Sequence, residues 1–255
     1  MSEKITLDLI IPHIALENES VKACFTQKNG DKVNMEGAIP GLNIGLNTGE
    51  ARDRVKANRE YLWNVLGVDP EWVAMGKQVH SNRVQFVSSG GLFDNTDGLV
   101  TTVPGLTLAI QVADCAAVLL ADAGNRVVAA LHAGWRGAVG GVVPQGIAVM
   151  QHYGGDPQQM QAFISPCIGR KNFEVGPEVA DLFPDTFVDY ESYEKPHVDL
   201  KGFIRMQLEE AGLPEGAVEV HSGCTMEEDR EFYSYRREQE RSGRMLGMIQ
   251  LTYKD

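Results

Sequence analysis

The sequence predicts a mixed α+β fold in which strands outnumber helices. Short apolar segments of strand length recur along the 255 residues, whereas helical segments are fewer. The two kinds of segment do not alternate regularly, which argues against a doubly wound parallel sheet. A hydrophobic fraction of 43% is typical of a globular protein with a large core. No linker, repeat or low-complexity segment divides the chain, so we expect one domain over residues 1–255.

The N-terminal part predicts two strands and then one clear helix. Residues 4–15 have strand character, with Pro12 favouring an edge or a strand end. Val21–Gln27 forms a second short apolar run. Glu50–Leu66 has apolar residues at roughly helical spacing, and Gly67 is a typical residue for a helix end.

The segment 106–140 is the most informative part of the chain. It contains two apolar runs that predict adjacent buried strands. Cys115 interrupts the first run and His132 ends the second. If the segment folds as a hairpin around Ala123–Asn125, the thiol and the imidazole lie side by side.

The other expected elements follow from the same rules of periodicity and termination. Asp199 is the expected N-cap of one late helix. The expected strands are Trp72–Met75, Arg83–Val87, Leu99–Val103, Met160–Ile164, Val218–Val220 and Met245–Leu251. The expected helices are Ala138–His152, Pro177–Phe183 and Asp199–Ala211.

Charge and composition exclude several classes of function. A net charge of −12 argues against a nucleic-acid-binding surface, because phosphate backbones are bound by clustered Lys and Arg. A small anion remains possible, since one local arginine cluster can bind phosphate in an acidic protein. No run approaches the roughly 18 apolar residues that a membrane span needs. The N-terminus does not resemble a signal peptide, and the four cysteines contain no CxxC, so we expect a cytoplasmic protein with reduced thiols.

Three separate residues could form a metal site. A lone cysteine in an apolar strand is usually core packing, and a lone histidine is usually structural. His80, Cys115 and His132 together, however, match a three-ligand zinc site that keeps one coordination position open for water. Their spacing matches no local zinc motif, so the pattern alone leaves the structural interpretation open.

Arg136 and Asp114 are candidates for two further roles. Arg136 lies in the segment His132–Gly137, where flanking glycines predict a tight turn into a helix, which suits an anion. The alternative for this segment is a capping turn with Arg136 in an ordinary salt bridge. Asp114 precedes Cys115 and would point away from it in a regular strand. It could orient His80 or His132, or act as a general acid/base.

Several short motifs along the chain resemble one known family. They are Leu42–Gly45, Asn58–Arg59, Gln78–His80, Thr96–Thr101, Ala113–Cys115, His132–Gly137, Ser165–Gly169, Glu174–Gly176, Cys224–Thr225, Phe232–Arg237 and Gly243–Arg244. Together they are similar to the laccase-domain family, which is named both polyphenol oxidase-like and purine nucleoside phosphorylase. Ala116–Ala117 departs from the more usual hydrophobic-Pro pair after the cysteine, and Gln27–Gly30 departs from a Thr-Arg-Gly-Gly-like turn.

The resemblance implies a fold, an activity and a ligand set. The implied fold is a single-domain layered α/β/β/α sandwich with mixed sheets. The implied metal is zinc, with copper possible, on His80, Cys115 and His132. The implied reactions are phosphorolysis of adenosine, inosine and methylthioadenosine and deamination of adenosine at the same site. The expected partners are a purine nucleoside and phosphate, and monomer and homodimer both remain open.

Three alternatives remain beside this interpretation. One is a copper-dependent, laccase-like polyphenol oxidoreductase, although six histidines are fewer than a conventional multicopper oxidase needs. A second is a metal-free hydrolase of cell-wall precursors, with Cys115 as nucleophile and His132 as base. The third is a structural zinc or ligand-binding module without turnover.

Overall fold

Two six-stranded sheets form the centre of the protein in a computed structural model that describes residues 6–17 and 19–253. In chain order the strands are β1 (Leu9–Ile10), β2 (Val21–Thr26), β3 (Val73–Gly76), β4 (Val84–Phe86), β5 (Gly91–Phe93), β6 (Gly98–Thr101), β7 (Thr107–Val112), β8 (Ala116–Asp122), β9 (Val127–Ala133), β10 (Gln161–Ile164), β11 (Val188–Asp189), β12 (His197–Val198), β13 (Val218–Val220) and β14 (Met245–Leu251). The α-helices are α1 (His13–Leu16), α2 (Arg52–Leu66), α3 (Trp135–Val139), α4 (Val142–His152), α5 (Pro177–Ala180), α6 (Leu200–Glu210) and α7 (Tyr235–Glu238). Short 3-10 turns lie at Pro70–Trp72, Pro157–Gln159, Arg170–Asn172, Asp185–Phe187 and Gln239–Arg241.

Both large sheets are mixed. Sheet A has the order β1-β2-β14-β7-β3-β5, and sheet B has the order β13-β10-β8-β9-β6-β4. In sheet A, β7 pairs antiparallel with β14 and parallel with β3. In sheet B, β8 and β9 form an antiparallel hairpin, as the turn around residues 123–125 predicts. Strands β11 and β12 form a separate two-stranded sheet.

The sheets pack face to face between outer helices. Alternate residues of each strand point to opposite faces, so Ile110 of sheet A and Leu119 of sheet B meet in the buried layer between the sheets. A Cβ added at Gly247 would lie 2.6 Å from the Ala117 Cβ, so this glycine allows the two sheets to approach closely. Leu62 of α2 covers the outer face of sheet A.

Helices α4 and α6 cover the outer face of sheet B. Val118 and Leu120 point outwards from this sheet and pack in one buried cluster with Ile147 of α4 and Ile204 of α6. The layer order is therefore α/β/β/α. The expected α+β class and layered sandwich are confirmed.

The N-terminal strand is much shorter than expected. Of the expected strand 4–15, residues 4 and 5 lie outside the described residues. Only Leu9–Ile10 pairs in a sheet, and His13–Leu16 forms a helical turn. Pro12 stands at the N-cap with φ −70° and ψ 156°, so the extended chain ends there and the turn begins.

The first apolar run forms two strands in different sheets. It breaks at Ala113–Cys115, where Asp114 has a φ of +79°. Residues before the break belong to β7 in sheet A, and residues after it belong to β8 in sheet B. The expected pair of adjacent strands is thus three strands, and Cys115 lies at the point where the chain crosses between sheets.

The expected helix over 138–152 is divided into α3 and α4. Gly141 has a φ of +84°, a left-handed conformation that glycine adopts without strain. The break separates α3, which begins directly after β9, from α4. Within the part of the chain that the structure describes, no helix combines the length and the apolar character that a membrane crossing requires.

Candidate metal and active site

Three potential metal ligands converge at one end of the two sheets. The donor atoms of His80, Cys115 and His132 all lie within 4.8 Å of one another. Among the described residues, this is the one group of three or more His, Cys, Asp or Glu side chains arranged to hold a metal ion. The structure therefore brings together the three residues that the sequence selects as a candidate site.

Strand topology explains why residues distant in sequence meet. Cys115 immediately precedes β8, whose first residue Ala116 pairs with Ala133 at the end of β9. His132 directly precedes Ala133 in β9, so the hairpin brings the Cys115 thiol and the His132 imidazole together. His80 arrives from sheet A through the loop after β3, which lies parallel to β7. The site is thus formed at the crossover between the sheets.

Asp97 is the buried carboxylate that organises this site. Its Oδ1 accepts a hydrogen bond from His132 Nδ1 at 2.8 Å and from the His80 backbone N–H at 2.9 Å. Its Oδ2 accepts from the Val79 N–H at 3.1 Å and from the Ser81 N–H and hydroxyl at 2.8 and 2.7 Å. One carboxylate therefore positions a ring and the backbone of a second histidine.

These contacts determine which imidazole nitrogen is available on His132. Nδ1 is held by Asp97, which leaves Nε2 to face a metal or substrate. His80 has a φ of +61°, a strained conformation that the three backbone contacts to Asp97 maintain. Gln78 also ties this loop to sheet A, because its amide exchanges two hydrogen bonds with the Gln111 backbone at 2.7 and 2.9 Å.

The half-buried Cys115 thiol and the buried His132 imidazole polarise each other. Burial would raise the pKa of Cys115, but the charge and hydrogen bond of His132 and the contact with His80 lower it to about 6. Burial would lower the pKa of His132, but the Cys115 thiolate and Asp97 raise it to about 9. Burial would raise the pKa of Asp97, but the hydrogen bonds from His132 and Ser81 outweigh burial and hold this pKa well below its usual range. A thiolate is the form of cysteine that binds metals and acts as a nucleophile.

The space around the donors suits a small metal ion. In a tetrahedral zinc site, nitrogen and sulfur ligands lie about 3.5 Å apart, so donors within 4.8 Å of one another must move closer by at most about 1.3 Å. A Cβ on Gly134 would lie 2.7 Å from Cys115 Sγ and 3.1 Å from His80 Cδ2. The absence of a side chain at this position keeps the donor cluster open, and the donor set of two imidazoles and a thiolate fits both zinc and copper.

Asp114 lies beside the triad and has other contacts than expected. Its Oδ1 accepts a hydrogen bond from the Thr225 hydroxyl and its Oδ2 accepts from the Arg236 N–H, both at 2.6 Å. The orientation of His132, one of the two roles considered for Asp114, belongs to Asp97 instead. The positive φ at Asp114 separates its side chain from the strand pattern. Its acid/base role stays a prediction.

Arg136 lies on the surface near the end of β9. It is exposed, and its guanidinium lies 4.2 Å from the centre of the Trp135 ring. Arg136 forms no salt bridge with an acidic residue among the described residues, so the alternative of an ordinary salt bridge is not observed. Its phosphate-binding role stays a prediction.

Asp97 is the site residue that sequence reasoning did not select. It lies in the segment 94–98, which predicts only a polar turn, although it is part of one of the family-like motifs. Its importance depends on the antiparallel pairing of β6 with β9, which brings it next to His132. The position of Asp97, an acidic residue directly before an apolar strand, is the one sequence feature that could have indicated its role.

Comparison with known proteins identifies the family. The family model described as "Multi-copper polyphenol oxidoreductase laccase" matches residues 22–252. The chain belongs to this family. A protein of Deinococcus radiodurans named purine nucleoside phosphorylase is 35% identical over 248 residues, with 96% of this chain and 95% of the relative covered.

One further relative is named for a different reaction, and two others have solved crystal structures. A protein named adenosine deaminase RL5, from an unknown prokaryotic organism, is 31% identical and covers 89% of this chain and 92% of its own length. The crystal structure of the hypothetical protein YfiH from Bacillus licheniformis has a TM-score of 0.88 at 29% identity, with 97% of each chain covered. That of NMB0706 from Neisseria meningitidis has a TM-score of 0.81 at 31% identity, with 96% of this chain and 99% of that chain covered.

Proposed function

We propose that this protein is a zinc-dependent purine nucleoside phosphorylase for adenosine, inosine and methylthioadenosine, with adenosine deaminase activity at the same site. The observation that carries this proposal is the convergence of His80, Cys115 and His132 around a buried Asp97. The names of the relatives supply the two reaction classes. The proposal makes these three side chains both the metal ligands and part of the catalytic site.

Zinc, when bound by this triad, would supply Lewis acidity and lower the pKa of a nearby water molecule. The chain's own contribution is to hold the donors in place. Asp97 fixes the ring of His132 and the backbone of His80, so the donors need little reorganisation to bind an ion. Cys115 has a pKa of about 6 and so already presents a thiolate at neutral pH.

The deamination step requires water to add at purine C6. The C6–N bond then breaks and the amino group leaves as ammonia, so one of the water's two protons must move to the leaving nitrogen and the other to purine N1. We propose Asp114 as the general acid/base for this transfer. The Thr225 hydroxyl and the Arg236 N–H hold its carboxylate in one orientation, and each oxygen retains a lone pair for a proton.

The phosphorolysis step requires a phosphate oxygen to attack ribose C1′. The C1′–N9 bond breaks, its electron pair goes to the purine, and the phosphate proton ends on the free base. Orienting phosphate beneath C1′ is the main contribution that protein groups can make. Arg136 is proposed to help to hold this anion, because its guanidinium is exposed and has no acidic partner among the described residues.

A metal-free hydrolase is a second candidate. The pKa of Cys115 near 6 and that of His132 near 9 favour a thiolate–imidazolium pair, which is the arrangement of cysteine hydrolases. Under this alternative, iodoacetamide would inactivate the protein equally with and without zinc. The copper oxidoreductase alternative is less well supported, because the described residues contain one metal-binding group and a multicopper enzyme needs several. Metal analysis and a visible spectrum of protein purified without added metal distinguish zinc from copper.

Product analysis tests the proposal directly. Purified protein is incubated with adenosine, with and without phosphate, and the products are separated by chromatography. We expect adenine and ribose 1-phosphate only with phosphate, and inosine in both cases. Cys115→Ala should lose both activities and bound metal. Cys24→Ala is the matched control, because this buried thiol lies in β2, outside the donor cluster.

We also propose a single catalytic domain over residues 1–255 and a cytoplasmic location. All four cysteines are free thiols, which suits a reducing compartment. The proposed partners are the nucleoside and phosphate. Limited proteolysis that released a stable, folded fragment would contradict the single domain.

A further inference from the structure

Two half-buried arginines have no acidic partner among the described residues, and one loop connects them. Arg59 is on α2, and Arg244 immediately precedes β14. Neither forms a salt bridge with any described residue. Both come from sequence motifs that the proposed metal site does not use. A half-buried guanidinium without a counter-ion carries a desolvation cost that a bound anion would offset.

The sheet register places Arg244 beside the triad. Met245 pairs with Val112, so Arg244 lies next to Ala113 and close to the following residues Asp114 and Cys115. The Arg244 guanidinium is close enough to Cys115 and Asp114 to interact with them electrostatically. Arg244 therefore occupies the same end of sheet A as the candidate metal ligands.

A single loop joins Arg244 to Arg59. Arg59 Nε donates to the Ile44 carbonyl at 2.8 Å, and the Ile44 N–H donates to the Arg244 carbonyl at 3.3 Å. Asn43 Oδ1 accepts from the N–H groups of Arg244 and Gly45, both at 3.0 Å. A Cβ on Gly45 would lie 2.5 Å from Arg244 Cγ, so the loop packs directly against this side chain. The loop of Asn43, Ile44 and Gly45 therefore contacts both arginines and fixes their positions relative to each other.

Several guanidinium donors remain available. Arg244 Nη1 donates to the Ser242 and Gly243 carbonyls, both at 2.9 Å. For Arg244 Nε and Nη2, and for both Nη atoms of Arg59, the described residues supply no hydrogen-bond acceptor. These atoms are also absent from the buried unpaired set, so solvent or a ligand reaches them. Burial lowers the pKa of both guanidinium groups, yet arginine stays protonated in proteins.

A buried acceptor lies on the same face of sheet A. Gln111 pairs with Leu246, and Leu246 packs in the cluster between this sheet and α2 together with Ile44. Side chains of paired residues share a face, so Gln111 points to the side where the loop of Ile44 lies. Its Oε1 is buried and has no hydrogen-bond partner in the described chain. Anionic oxygens of a ligand would satisfy the arginines, whereas the Gln111 oxygen lies on the loop's side of the sheet but is closed to solvent.

We propose that Arg59 and Arg244 form the principal binding site for inorganic phosphate, the co-substrate of phosphorolysis. This inference rests on the proposed function. Phosphate near neutral pH carries negative oxygens, which match the two guanidinium groups. The phosphoryl group of a nucleotide has the same chemistry, so the experiment includes AMP as a separate ligand.

The test compares phosphorolysis with deamination in the metal-loaded protein. Arg244→Gln and Arg59→Gln should each raise the KM for phosphate in inosine phosphorolysis by about tenfold or more, the loss expected for a charge-assisted hydrogen bond. Adenosine deamination without phosphate should change by less than about twofold, because water is its nucleophile. Arg205→Gln is the control, since Arg205 is exposed on α6 and pairs with Glu209. Arg244→Lys should recover part of the loss, because it keeps the charge and loses the planar fork.

Direct binding separates failure of this inference from failure of the proposed function. Calorimetry with phosphate alone should show binding to the wild type and weaker binding to Arg244→Gln, even if no ribose 1-phosphate is formed. An unchanged phosphate affinity in both glutamine variants would overturn the inference. So would a KM increase in Arg136→Gln alone, or variants that lose AMP binding but retain phosphate binding.

Discussion

Replacing Asp97 with Asn tests whether this carboxylate holds the site together. Whichever oxygen becomes an NH₂ group, two N–H donors lose an acceptor: those of His80 and His132 at Oδ1, or those of Val79 and Ser81 at Oδ2. An unpaired donor costs about 1–3 kcal/mol when it is fully buried, and the donors at Val79, His80 and Ser81 are only partly buried. Asp97→Asn should therefore lower the free energy of unfolding by at most about 6 kcal/mol. Loss of such an outer contact should also weaken zinc binding by about 10–100-fold.

The assays are urea unfolding of the metal-free protein and zinc competition against a chromophoric chelator. Asp122→Asn is the matched control, because Asp122 is also fully buried and accepts from the Asn125 and Asp156 N–H groups at 2.9 Å. It stands at the opposite end of β8 from Cys115. Asp122→Asn should therefore lower stability and leave zinc affinity unchanged.

The pH dependence has a defined sign. The folded-state pKa of Asp97 lies below that of the unfolded chain, about 3.9, because hydrogen bonds from His132 and Ser81 outweigh the opposing effect of burial. Its ionised form thus stabilises the fold at pH values above about 4, and this contribution is lost as the pH falls through the acid range. The stability difference between wild type and Asp97→Asn should shrink there. Equal zinc affinity and equal unfolding free energy in the two proteins would refute the reasoning.

Two further predictions concern the donor cluster. The rate of Cys115 alkylation by iodoacetamide in the metal-free protein, followed by mass spectrometry, should rise with pH with a midpoint near pH 6. The reason is that His132 stabilises the thiolate against the opposing effect of burial. A midpoint near the usual cysteine pKa of about 8.5 would contradict this. Gly134→Ala should weaken zinc binding by about tenfold or more with the fold retained, because its Cβ would lie 2.7 Å from Cys115 Sγ. Chelator competition measures this loss, Gly124→Ala at the β8–β9 turn is the control, and unchanged affinity in Gly134→Ala would argue against metal at this position.

Local sequence patterns were sufficient for much of the secondary structure. Helix α2 follows from its apolar spacing and from Gly67, which has a φ of +64° at the helix end. Asp199 caps α6 as expected, accepting from the Gly202 N–H at 2.9 Å. These features depend on residues a few positions apart, so a single sequence contains the information that they need.

Failures of prediction occurred where the chain changes direction. The break at Asp114 lies within a continuous apolar run, and periodicity alone does not indicate that the two halves enter different sheets. The division at Gly141 depends on the packing of α3 and α4 beside β9. The expected single domain and the roles of Asp114 and Arg136 stay predictions, as does the ligand role of the triad.

The sequence by itself determined the fold class, the hairpin of β8 and β9 and, through the family-like motifs, the choice of His80, Cys115 and His132. Only the tertiary structure decided how these side chains are supported. Asp97 meets His132 through strand pairing, and Arg244 reaches the same edge through the pairing of β14 with β7. Both contacts join residues far apart in sequence. Their geometry depends on which strands pair and on how the two sheets pack, and local spacing along the chain does not contain that information.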